Sequence, residues 1–119
     1  MKVFQRGEMP SAAHPGRYIW NAVSADGFST SQKVKSGIAR YAAEYGALEP
    51  HVHGEEVCYV ISADRGRVRF GERREKMAKV LSLETGMLIH APAGEWHVFE
   101  YDQGGHIEIV YFLLVDLCQ

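Results

Sequence analysis

The sequence has few cysteines, no long apolar run and no surplus of positive charge, and each shortage removes a class of protein. Cys58 and Cys118 are its cysteines, too few and too irregularly placed for a disulfide framework. A reducing compartment, the cytoplasm, is expected. The apolar run over residues 107–117 is interrupted by Glu108 and Asp116. It reaches roughly half of the ~20 residues that a membrane-spanning helix requires. The stretch MKVFQRGEMP has basic residues but no apolar export segment after them, which again fits the cytoplasm. A net charge of −2 and a pI near 6.3 give no attraction to nucleic acid or anionic lipid. The basic residues of RGRVRFGERREKMAK are mixed with acids, as on a solvated hairpin.

What is present fits one globular domain. A chain of 119 residues can bury a core but is short for two ordinary domains. With 46% hydrophobic and 24% charged residues it is neither disordered nor membranous in composition. Glycine and proline recur at short intervals and leave room for strands of about five to eight residues. Between them lie RYIWNAV, KVKSGIARYAAEY, EVCYVIS, RVRF, AKVLSL, MLIHA, WHVFEY and IEIVYFLLV, rich in β-branched and aromatic residues. Short strands in this number predict an all-β sandwich or closed barrel. Around SGIARYAAEYGAL a helix competes, with Gly46 as its C-cap, but a strand leads directly into EPHVH and is preferred.

Two segments carry chemistry. In a strand, residues i and i+2 share a face with Cα atoms roughly 6.5–7 Å apart, so His51 and His53 can converge on one ion at the usual ~2.1 Å. The bland alternative is a pair of exposed loop histidines. The second segment, GMLIHAPAGEWHVFEY, supplies a strand, a Pro92-Ala93-Gly94 turn and His97 at the start of the next strand. Glycine permits positive φ there, so the turn is geometrically specified and can aim His97 inward.

GALEPHVHGEE from Gly46 and GMLIHAPAGEWH from Gly86 together resemble the two signature motifs of the cupin superfamily. The first reads glycine, five residues, HxH and then a glutamate; the second reads glycine, five residues, PxG, two residues and histidine. The resemblance implies a double-stranded β-helix, a jelly-roll barrel, with a core over residues 34–119. Residues 1–33 would form N-terminal strands and loops packed on that barrel. It also implies one divalent transition metal held by His51, His53, Glu56 and His97. Three features depart from the family pattern: two residues rather than three or four separate His53 from the glutamate, no glycine follows at the expected place, and Tyr101 stands where the second motif ends in asparagine. The carboxylate is open on strand phase alone. Strict alternation puts Glu55 beside the histidines, whereas a turn at Gly54 resets the phase and sends Glu56, Cys58 and Val60 inward. The resemblance implies Glu56.

Three imidazoles and a carboxylate suit Fe, Mn, Ni, Co, Cu or Zn, and the donor set does not select among them. Arg40 and Tyr101 are the candidate catalytic residues, Arg40 to fork onto a substrate carboxylate and Tyr101 to donate a proton. His90 and His106 are expected at surface or packing positions, and Cys58 as a small core residue. The apolar IEIVYFLLV predicts cover by a second subunit, hence a homodimer. The expected function is metal-dependent conversion of a small oxygen-rich metabolite, a sugar derivative or a keto or hydroxy acid, by Lewis-acid isomerase or lyase or by dioxygenase chemistry. A non-catalytic small-molecule binding or sensing cupin is the alternative, and neither nucleic acid nor membrane is an expected partner.

Overall fold

A computed structural model of the protein describes residues 1–115, so Asp116 and Cys118 lie outside the described residues. The strands are β1 (Ser11–His14), β2 (Arg17–Ser24), β3 (Ser29–Thr30), β4 (Val34–Ala42), β5 (Glu56–Gly71), β6 (Lys79–Ser82), β7 (Leu88–Ala91) and β8 (Trp96–Leu114). They form one curled sheet in the order β1-β2-β4-β8-β5-β6, with β7 on β5 and the short β3 parallel to β2. All other pairings are antiparallel, and the architecture is the all-β cupin-like barrel.

The strand inventory differs in detail from the expectation. EVCYVIS and RVRF are halves of one strand, β5, and WHVFEY and IEIVYFLLV are halves of β8. Gly66 does not end β5: a Cβ there would collide with the Ile107 side chain, so glycine lets the two strands approach closely. The register shifts between Asp64 and Gly66, opposite Tyr101 and His106, and Arg65 takes a positive φ of 52°. Bulges of this kind bend a strand without terminating it. The N-terminal strands are hydrogen-bonded members of the same sheet, since β2 pairs with β4 from Tyr18↔Arg40 to Val23↔Ser36. Residues 34–42 are strand, and the alanine-rich stretch turns helical only in a 3-10 turn over Ala43–Tyr45.

Alternation assigns the faces. Ala39 and Tyr41 on β4, Cys58 and Val60 on β5, and Ile107, Ile109 and Tyr111 on β8 make the core, with Val68, Leu83 and Phe99 beside them. Val60 and Ile107 are fully buried, each contributing about 1.5–3 kcal/mol of hydrophobic stabilisation as an upper bound. The outer face carries ion pairs instead, such as Arg67 and Arg69 on Glu100. The arginines of the basic hairpin stretch are therefore ion-paired surface residues.

Candidate metal centre

The HxH segment has no strand of its own and is tied down by neighbours. His51 and His97 exchange both backbone hydrogen bonds, N–H to carbonyl at 3.0 Å in each direction. The Gly94 N–H donates to the His53 carbonyl at 3.2 Å. The turn closes by Glu95 N–H to the Pro92 carbonyl at 3.3 Å, with Gly94 at φ +85° as a type II turn needs at its third position. One turn thus places His97 and clamps the segment holding His51 and His53.

The three rings gather with centroids 4.4–5.2 Å apart, and one ligand nitrogen from each lies within 4.8 Å of the others. Each Nδ1 faces a backbone carbonyl: His51 to Glu49 at 3.2 Å, His53 to Gly54 at 2.9 Å and His97 to Glu95 at 3.2 Å. A carbonyl only accepts, so each Nδ1 carries the proton and each Nε2 keeps a lone pair. Carbonyl partners of this kind commonly fix metal-ligating histidines.

Gly54 lies in a bend, and the two glutamates after it diverge. Glu55 points outward, its Oε2 2.6 Å from His90 Nε2. Glu56 is buried, with Oε2 3.8 Å from His53 Nε2 and Oε1 3.9 Å from His97 Nε2. The Cys58 thiol donates to Glu56 Oε1 at 3.3 Å. Burial raises the Glu56 carboxyl above its ordinary range, with His53 and the Cys58 hydrogen bond opposing. Burial, helped by the nearby His51, holds His97 down at about 4, and burial likewise lowers His51. His97 Nε2 is buried and has no hydrogen-bond partner among the described residues. An orphaned acceptor costs about 1–3 kcal/mol, and here it faces a carboxylate. A cation at this point would relieve both, so the donor set fits a divalent ion. A ligand separation of up to 4.8 Å asks for a small inward shift on binding.

Two cavities meet at this cluster, and Glu56 lines both. The first, of about 370 Å³, runs between β5, β6 and β7 and is mainly apolar, with Val68, Leu83, Ile89 and Phe99 on its wall beside His97. The second, of about 410 Å³, opens past His51 and His53 and is lined by Tyr41, Tyr111, Arg17 and Lys35. Burial raises the pKa of both tyrosines, so their hydroxyls hold their protons at neutral pH.

The structure does not bring the two expected catalytic residues here. Arg40 lies on the face of β4 opposite Ala39 and Tyr41, where its Nη1 is 3.3 Å from Glu108 Oε2 and Arg6 binds the other oxygen at 2.7 Å. The Tyr101 hydroxyl donates to the Gly46 carbonyl at 3.0 Å, anchoring the start of the HxH loop. Neither lines either of these two cavities. His106 instead bonds the Ser62 hydroxyl through Nε2 at 2.8 Å. Tyr41 and Tyr111, expected from strand alternation to shape the pocket, do line the second cavity; sequence reasoning missed Arg17 and Lys35 as cavity residues. The alternation Arg17, Ile19 along β2 is the signal that could have found the first.

No family model and no curated protein matches the sequence. Solved structures match it in shape. Hydroxypropylphosphonic acid epoxidase from S. wedmorenis superposes with a TM-score of 0.71 at 16% identity, over 95% of this chain and 59% of that one. The polyketide cyclase RemF from Streptomyces resistomycificus does so with 0.71 at 16%, over 98% and 80%. A protein from Planctomyces limnophilus does so with 0.71 at 14%, over 100% and 94%. The chain therefore spans about three fifths of the epoxidase's length. The epoxidase and the cyclase are cupin-fold proteins, and the present chain has the same fold. Within that fold it carries a three-histidine group able to hold a metal ion.

Proposed function

We propose that this chain is a cytoplasmic metal-dependent cupin enzyme that converts a small oxygen-rich metabolite at a centre formed by His51, His53, Glu56 and His97. The observation that carries this reading is the convergence of three imidazoles, each with Nδ1 on a backbone carbonyl and one, His97, with a buried unpartnered Nε2, beside the Glu56 carboxylate. A bound divalent ion would supply Lewis acidity toward a substrate oxygen or a site for redox chemistry. The epoxidase, HppE, matches this fold also in its Fe(II) form with substrate, at 15% identity and a TM-score of 0.73, which supports iron as the first ion to try.

The chain's own groups do the rest. Tyr41 and Tyr111, protonated and facing the second cavity, are placed to hydrogen-bond a substrate oxygen or return a proton to it. On the opposite side the first cavity offers a mainly apolar wall. Room on both sides of the cluster favours turnover over a purely structural role.

We also propose that a second copy covers the outer face of β5, β7 and β8, where Tyr59, Leu88 and Phe112 are exposed at 44%, 70% and 44%. Light scattering at micromolar concentration is expected to give twice the mass of the chain, and a single-chain mass refutes the dimer.

The function is tested by incubating Fe(II)- or Zn(II)-loaded protein with a cytosolic metabolite extract followed by mass spectrometry. Depletion of a polar metabolite by the native protein, and not by His97→Ala, is expected. Retention of a compound without conversion would instead indicate a binding or sensing role.

A further inference from the structure

The apolar character of the first cavity follows from the register of β5. Directly opposed residues of paired strands share a face, so the inward phase of Cys58 and Val68 passes to their neighbours. Ile89 on β7 stands opposite Cys58, and Leu81 on β6 and Phe99 on β8 stand opposite Val68. β6 and β7 pair with β5 at residues 67–70 and 56–59, and not with each other among the described pairings. The wall is therefore open between them. Leu81 faces inward there and is still 58% exposed. Phe70 and Ile89 pack on the core but are only partly buried. The inward side chains thus leave about 370 Å³ unfilled, in an interior that elsewhere packs tightly. That volume falls within the roughly 300–1,000 Å³ of small-molecule sites.

The charges around this hollow are of one kind. Glu56 and His97 mark the end that meets the histidine cluster, and Glu95 is a second acid on the lining. No lysine or arginine lines it; the Lys79 ammonium, 6.0 Å from the centre of the Phe70 ring, stays off the wall. His90 at its edge shares the outward phase of Val57 and is held by Glu55 at 2.6 Å. An anionic group entering here would lose water and meet carboxylates without a counter-ion, which is unfavourable. A neutral apolar body loses nothing by entry. Phe70 and Phe99 favour a ring over an alkyl chain, because aromatic pairs attract beyond the area they bury.

We propose that this cavity seats the ring system of the substrate, and that the substrate is a neutral aromatic alcohol of about two fused rings. Its rings lie among Val68, Leu81, Leu83, Ile89 and Phe99, with the hydroxyl turned to Glu56 and the histidine cluster. This deepens the reading of the cluster as a metal centre and rests on it for the hydroxyl contact alone.

Calorimetric titration of the full chain, stripped of metal, with 1-naphthol, 1-naphthoate and 1,2-cyclohexanediol tests the seat. 1-Naphthol is expected to bind saturably, at least about tenfold tighter than the naphthoate, which has the rings and a charge, or the diol, which has the oxygens without the rings. Ile89→Trp, which fills the hollow, should weaken 1-naphthol at least about tenfold. Leu81→Gln changes an exposed position and so spares the fold; it should weaken 1-naphthol roughly threefold or more with thermal unfolding unchanged. No saturable binding by the native chain, as when a second copy fills the mouth, would overturn the proposal. So would equal affinity for the naphthoate or the diol, or an affinity untouched by both variants. Zinc retention after dialysis, measured on the same preparations, keeps the two readings apart. Naphthol binding that depends on Ile89 and Leu81 in a chain that retains no zinc sustains the seat and sinks the metal centre; retained zinc without naphthol binding does the reverse.

Discussion

The two faces of the sheet treat the same residue types in opposite ways. Outside, Arg40 and Arg6 share Glu108, Arg67 and Arg69 share Glu100, and Glu55 takes His90. Inside, among the described residues, His97 Nε2 has no hydrogen-bond partner, Glu56 faces imidazole lone pairs, and Arg17 has no carboxylate partner. The outer wall pairs its arginines with carboxylates, whereas the inner wall keeps polar groups without such partners. Burying an unpaired polar group costs free energy, so a wall that keeps several is built around a ligand.

The comparison can be broken most sharply at the cluster. His97→Ala should lower metal affinity at least ~100-fold, more than the 10–100-fold typical of losing a supporting partner. Elemental analysis after dialysis reads this directly, and full retention would remove the centre. Next in size is the core behind it. Ile107→Ala should cost about 2–5 kcal/mol in denaturant unfolding, while the outward Phe112→Ala, exposed at 44%, should cost under about 1 kcal/mol in the monomer.

The adjacent glutamates make the comparison within two residues. Glu56→Gln should weaken metal binding roughly 10–100-fold, and Glu55→Gln should leave it within about twofold, since an exposed ion pair contributes little. Equal losses would place the carboxylate ligand elsewhere. The smallest effect belongs to the outer wall. Burial pushes the Glu108 carboxyl up, but the hydrogen bonds and charges of Arg6 and Arg40 outweigh it and hold the group below its ordinary range. A depressed carboxyl stabilises the fold above its unfolded pKa, and that stability is lost as pH falls through the folded value. Thermal unfolding followed down through pH 4 should therefore drop less steeply in Arg40→Met than in the native chain.

Much of the centre could be read from the sequence because it depends on local chemistry. The HxH spacing, the Pro92-Ala93-Gly94 turn and the helix-breaking glycines act within a few residues, and they implied the barrel and the three histidines. Strand phase on β4 was harder. Ile38 and Ala42 are buried on one face and Ala39 and Tyr41 on the other, so no alternation marks which way Arg40 points. The long strands were also hidden, because Gly66 and Gly104-Gly105 read as stops where the chain bulges and continues. Arg17 went unnoticed because its importance comes from a neighbour about twenty residues away in sequence, Tyr41, across the β2–β4 pair.

The reciprocal backbone pair between His51 and His97 also has a bearing on how the protein is made. The donors on the two sides of that pair are 46 positions apart, taking 97 − 51 from their residue numbers. During synthesis, the first two histidines emerge long before the third, and β8, which carries it, is the strand that β4 and β5 both need as a neighbour. A half-made chain therefore owns only a weak, open pair of imidazoles. A divalent ion held by all three imidazoles would therefore be captured only once β8 has joined the sheet.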